Sequence, residues 1–131
     1  MTNDQRGYTM TEKSPTDIQQ RTFEFAKRIV KLVDKLPRTL AATEIGKQML
    51  RSGTSVGANV QEADAAESRS DFIHKLSIAL KEARETRYWL ALIDSTILST
   101  NPEVKALLQE STELTKILFT IIAKARKNNA K

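Results

Sequence analysis

The stretch Gln48–Leu90, QMLRSGTSVGANVQEADAAESRSDFIHKLSIALKEARETRYWL, decides how the chain is read, and it holds the only His and the only Trp of the 131 residues. It divides into the second half of one helix, a short turn and most of the next helix. Upstream of the turn, Ile45, Met49, Val56, Val60 and Ala63 recur at helical spacing and form a core stripe. Gly46, Gly53 and Gly57 fall along one edge of it. A glycine inside a helix costs about 1 kcal/mol relative to alanine. Three on one edge therefore imply a second backbone passing close by, since the stripe keeps its phase across Gly53 and Gly57. Downstream, Ser68-Arg69-Ser70-Asp71 reads as a capping box. Phe72, Leu76, Ala79, Ala83, Thr86, Leu90 and Ile97 then form the next core face. A turn of a few residues makes these two helices neighbours in space.

Both helices carry a second stripe. On the first it is Arg51, Ser55, Asn59 and Glu62. Short Ser and Asn are weak choices for a solvent-facing helix, so this row suits a polar seam between packed helices or subunits. On the second it is Ile78, Trp89 and Leu92, flanked by Glu82 and Glu85. An intrachain bundle needs one apolar stripe per helix. The extra one predicts a subunit interface in which Glu82 and Glu85 pair with Arg51 or Arg87 of a neighbour. The simpler reading is that Trp89 covers a bundle edge.

Working outward, Ser14-Pro15-Thr16-Asp17 is a helix start, with Ser14 as cap and Pro15 in the first helical position. The first helix is expected from Pro15 to Leu36, where Pro37 ends it. Ile18, Phe25, Ile29, Leu32, Val33 and Leu36 form its core face, widened by Phe23 and Val30. Its partner is expected from Thr39 or Thr43 to about Ala66, and the third helix from the Ser68 box to about Leu98. Asn101-Pro102 caps and starts the last helix. That helix carries Val104, Leu107, Leu108, Leu114, Leu118, Ile122 and Ala125, with Ile117, Phe119 and Ile121 beside them. Four amphipathic helices, short loops and no strand signal predict an all-α, antiparallel up-down-up-down four-helix bundle. Residues 15–127 would form it, between a polar, disordered tail (1–14) and a basic tail (128–131).

The chain is short enough for one domain, has no cysteine and carries a net charge of +5. Without cysteine it can build neither a disulfide framework nor a thiolate metal site, which fits a reducing cytoplasm. The polar N-terminus has no signal-peptide core, and no apolar run approaches the ~20 residues of a membrane helix. The charge is uneven: residues 18–38 hold six Lys/Arg against Glu24 and Asp34, and residues 102–131 hold six against three acids. Such asymmetry points to a polyanion partner, RNA or DNA above all. Lys27, Arg28, Lys31, Lys35 and Arg38 would supply the charge, with Lys124, Arg126 and Lys127 at the other end of the chain. A solvated basic face that confers solubility, with cations complementing a helix C-terminus, explains the same residues.

The segments Arg21–Pro37, Gln48–Ala63 and Ser70–Leu90 resemble the four-helix-bundle proteins encoded by intervening sequences inside bacterial 23S ribosomal RNA genes. The family pattern of Arg-Ser, a Ser three residues later, then Ala-Asn and Glu matches Arg51-Ser52, Ser55, Ala58-Asn59 and Glu62. Ala63 stands where many members have Gly, and Gly57 where many have Pro. The resemblance covers about residues 18–125. It implies a ring-shaped homopentamer with a central channel, without a settled activity. A similar basic pentameric bundle is the accessory protein of the reverse transcriptase in diversity-generating retroelements.

Catalytic chemistry finds little support. A di-iron bundle needs paired Glu-x-x-His motifs, and no Glu precedes His74 by three. Neither a zinc site nor a phosphate loop is present, so no cofactor is expected. Arg69 and His74 fit the loose Arg-x4-His spacing of HEPN-type helical ribonucleases. Helical phase puts His74 off the Phe72 face, however, where an ordinary exposed histidine would sit. The reading is therefore a non-enzymatic, self-associating bundle that binds nucleic acid. A scaffold or accessory subunit for a protein partner is the alternative, and the ribonuclease comes third.

Overall fold

The computed structural model describes residues 6–10 and 17–129. It contains four helices: α1 (Ile18–Asp34), α2 (Leu40–Asp64), α3 (Arg69–Ser95) and α4 (Pro102–Asn129). Among the described residues there is no strand. Each helix packs on its sequence neighbour and α1 also meets α4, whereas the backbones of α1 and α3, and of α2 and α4, make no close approach. The four thus form a closed bundle with α1 diagonal to α3.

Local chemistry sets most boundaries. Asp17, not Ser14, caps α1, its carboxylate accepting from the Gln19 amide at 3.2 Å. The expected cap Ser14 and first-turn Pro15 lie outside the described residues. α1 stops at Asp34, two residues before the expected end, because Lys35 already turns back to bond the Leu32 and Val33 carbonyls ahead of Pro37. Thr39 caps α2, Ser68 caps α3, and Asn101 accepts from the Glu103 and Val104 amides to start α4. α3 ends at Ser95, short of Leu98.

Phe25, Ile29, Met49, Val56, Phe72, Leu76, Leu90, Ile93, Leu107, Leu114 and Leu118 are fully buried. Phe23, Val30 and Phe119, read from the sequence as widening the core, are instead 59, 46 and 58% exposed. They lie beyond the edge of stripes that the facing helices cover.

The glycine edge of α2 faces α1. A Cβ on Gly53 would stand 2.8 Å from Ile29 Cγ2, and one on Gly57 3.3 Å from the Thr22 backbone oxygen. Gly46 faces the Leu36 and Val33 side chains. α2 runs through all three as a single helix, so close approach, not a break, explains them.

Of the tail expected over residues 1–14, the described residues are 6–10. Tyr8 and Met10 are buried, 6 and 3% exposed, and belong to the core. Their polar neighbours hid two apolar anchors spaced too closely to register as periodicity.

Candidate functional site

The polar row of α2 and the glutamates of α3 meet within one chain. The Arg51 guanidinium bonds Glu82 Oε1 at 3.2 Å and also pairs with Glu85. The indole N–H of Trp89 donates to Glu85 Oε2 at 3.1 Å. These donors hold the Glu85 carboxyl below its ordinary value, the Trp89 hydrogen bond first and Arg51 after it. The same pairing raises Arg51, mainly through its hydrogen bond to Glu85. Packing of α2 on α3 brings Arg51 of the same chain within reach of both acids, so the pairing expected with a neighbour's arginine already forms within one chain.

Ser55 and Asn59 do not bridge to another helix. Ser55 Oγ donates to the Arg51 carbonyl at 2.7 Å, and Asn59 Nδ2 to the Ser55 carbonyl at 2.9 Å. Glu62 pairs with Lys75 of α3 at 2.9 Å. The hydroxyl link that does cross between helices went unread in the sequence. Thr86 and Ser52, both fully buried, bring their oxygens to 2.8 Å, and Thr86 Oγ1 lies 2.7 Å from the Glu82 carbonyl. One hydroxyl carries one proton. Thr86 therefore donates to that carbonyl and Ser52 donates to Thr86. Their helical phase, on the α2–α3 seam in both helices, was the available signal.

Ile78, Trp89 and Leu92 are each half-buried in the single chain, with Trp89 packed on the core. The more exposed large apolar side chains lie elsewhere. Phe23 and Val30 on α1, Leu40 and Leu50 on α2, Tyr88 on α3 and Phe119 on α4 are the prominent ones. Val30 and Leu50, with Val33, Leu36 and Gly46, line a shallow groove of about 370 Å³ between α1 and α2.

The cations expected to meet nucleic acid divide into two groups. Arg28 is forked onto Glu103 of α4 at 3.0 and 3.2 Å, and Lys27 pairs with Glu24 at 3.3 Å. Arg21, not one of the expected set, bonds Glu110 and Glu113 at 2.7 and 3.0 Å and is raised, chiefly by its hydrogen bond to Glu110. Lys31, Lys35, Arg38, Arg126 and Lys127 are exposed and form no ion pair among the described residues. Lys124 is exposed as well. The two blocks are far apart. Arg28 anchors α1 beside Glu103, and Lys124 lies 21 helical residues beyond Glu103, roughly 30 Å at about 1.5 Å per residue.

A third set was not singled out in the sequence. Lys81, Arg84 and Arg87 follow one another on the outer side of α3, next to Tyr88, which is 61% exposed and edge-on to Trp89. None of these three cations has an ion pair among the described residues. Even spacing by three among unremarkable helix formers concealed them. Since α3 is diagonal to α1, this set and Lys31/Lys35 face different sides.

Arg69 Nη2 donates to the Gly7 carbonyl at 3.2 Å, while His74 is exposed. Among the described residues no cluster of three potential metal ligands occurs, and no helix is long and apolar enough to cross a membrane.

Fold and surface together define an all-α four-helix bundle with a basic exterior. The chain belongs to the 23S rRNA-intervening sequence protein family, which matches residues 15–120. It is similar to a crystal structure of a protein of unknown function from the S23 ribosomal protein family of Bacteroides thetaiotaomicron. The two share 47% identity with a TM-score of 0.75, over 81% of this chain and 95% of the other. No curated protein matches the chain.

Proposed function

We propose that this chain is a non-enzymatic bundle protein that assembles with its own copies and binds RNA or DNA through phosphates. The observation that carries the reading is the sorting of charge. Acids of α3 and α4 neutralise Arg21, Arg28 and Arg51, whereas Lys81, Arg84 and Arg87 remain as a row beside exposed Tyr88. Lys31 and Lys35 add a second row on α1. Such rows suit phosphates, and one tyrosine face offers a single stacking platform. Binding of this kind is driven by charge and shape and depends on salt.

The proposed architecture is an antiparallel up-down-up-down bundle. Early α1 meets late α2 (Thr22 with Gly57), while late α1 meets early α2 (Val33 with Gly46) and early α4 (Arg28 with Glu103). The proposed assembly is a ring, and the family resemblance suggests five copies. A cyclic ring uses a heterologous interface, so each subunit must present two different patches. Ile78, Trp89 and Leu92 provide one on α3; Phe23, Val30 and Leu50 provide the other on α1 and α2. Trp89→Asp should yield a smaller species in light scattering or insoluble protein, and unchanged mass would refute this interface.

The functional test titrates fluorescently labelled RNA and DNA at low and high salt. Replacing Lys81, Arg84 and Arg87 by Gln should weaken binding and lower the logarithmic salt slope by roughly one per lost phosphate contact. Wild-type protein that ignores both nucleic acids overturns the reading and leaves a protein-binding scaffold in its place.

A further inference from the structure

The corner where α2 turns into α3 holds a short peptide. α2 ends with carbonyls that no helical amide can reach. Arg6 Nη1 donates to the Asp64 and Ala66 carbonyls, both at 2.9 Å, and Tyr8 Oη donates to the Ala66 carbonyl at 2.8 Å. The Tyr8 ring lies 4.7 Å from that of Phe72, at the start of α3, and Met10, two residues on, is buried in the bundle core. Between them the Gly7 carbonyl accepts from Arg69. Gly7 has φ +85°, a left-handed conformation that favours glycine; a Cβ there would also displace the tip of the Arg69 side chain, 2.6 Å away at Nη2.

The contact set has the features of peptide recognition. A guanidinium placed at a helix C-terminus is favoured by the dipole. A tyrosine is read at both its ring and its hydroxyl, a glycine is favoured by the backbone conformation, and a methionine is buried. Arg6 also stacks on Tyr8, its guanidinium carbon 4.4 Å from the ring centroid, which orders the segment itself. The receiving groups belong to α2, α3 and the turn between them, and the two helices also pack and cap through contacts that do not involve residues 6–10.

We propose that the α2–α3 corner is a binding site for an Arg-Gly-Tyr-x-Met segment, filled here by residues 6–10 of the same chain and open to that segment of a second copy. The segment acts as a detachable strap, so copies in an assembly can exchange it.

The test uses full-length protein carrying Tyr8→Ala and Met10→Ala, which vacates the site, and a labelled peptide of residues 1–17. The variant should bind the peptide at least about tenfold more tightly than wild type, whose tethered strap competes at roughly millimolar effective concentration. A peptide with Tyr8→Ala should bind neither protein, and one with Gly7→Ala should bind the variant more weakly. Three results overturn the proposal: a folded variant that does not bind, equal binding to both proteins, or equal binding of the Tyr8→Ala peptide. Tyr8→Ala alone, which leaves Met10 seated, is the milder variant and should show the same difference at lower amplitude. If both variants fail to fold, the segment is part of the core and the strap is refuted.

Discussion

Alanine at Gly53 should destabilise the protein, whereas alanine at Gly46 should stabilise it, although both sit inside the same helix. The shared term is intrinsic. Replacing a mid-helix glycine by alanine favours the helix by about 1 kcal/mol. The opposing term depends on what the new methyl meets. At Gly53 it meets Ile29 at three atoms, Cγ2 at 2.8 Å, Cγ1 at 3.0 Å and Cβ at 3.2 Å. Ile29 is fully buried and branched at Cβ, so it has no free rotamer to take up. Overpacking of this kind costs about 1–3 kcal/mol. The net effect of Gly53→Ala is a loss of about 1 kcal/mol. At Gly46 the closest atom is Leu36 Cδ1 at 3.1 Å. That atom is the far end of a flexible, half-buried side chain, so most of the helical gain survives. Gly57→Ala falls between them, because the methyl meets the Thr22 backbone oxygen at 3.3 Å, and backbone yields less readily than a side-chain tip. Urea unfolding at fixed protein concentration measures the order, with Gly46→Ala above wild type and Gly53→Ala below it. A stability difference of 1 kcal/mol corresponds to a melting shift of about 3–5 °C in a chain of this size. Gly53→Ala as stable as Gly46→Ala would refute the close approach of α1 and α2.

Two further outcomes follow from the α2–α3 seam. Thr86→Val leaves the buried Ser52 hydroxyl without its 2.8 Å partner and should cost about 1–2 kcal/mol. Adding Ser52→Ala should then cost less than the sum of the singles by about 1 kcal/mol, and strict additivity in denaturation would refute the link. The second outcome concerns pH. Glu85 is depressed in the folded protein by Trp89 and Arg51. Its stabilising contribution is therefore complete above the unfolded carboxylate value of about 4.3 and is lost as pH falls through the lower folded value. Stability should decline on acidification below about pH 4, with a change in Trp89 fluorescence. Glu85→Gln should reduce that slope, and an unchanged acid profile would exclude the carboxylate as its source.

Four helices, their order and most of their caps were legible in the sequence, because apolar spacing and capping chemistry are local. Thr39, Ser68 and Asn101 each satisfy amides a few residues away, which needs no knowledge of the rest of the chain. The meaning of Gly46, Gly53 and Gly57 was also legible, since three costly residues on one helix edge require a compensating close contact. Family membership was readable for the same reason, from short motifs with fixed spacing.

What only the tertiary structure decided depends on distances between residues remote in the chain. The sequence could place Arg51, Glu82 and Glu85 on facing rows, but only packing showed that one chain closes the pair. It could count cations, but not foresee that Arg28 is spent on Glu103 while Lys81, Arg84 and Arg87 remain outside ion pairs among the described residues. It read residues 1–14 as a polar tail, yet within them Tyr8 packs at the α2–α3 corner and Met10 is buried in the core. Local periodicity reports which face of a helix is apolar; which neighbour covers that face, and which charge meets which, is fixed by how four helices fill space together.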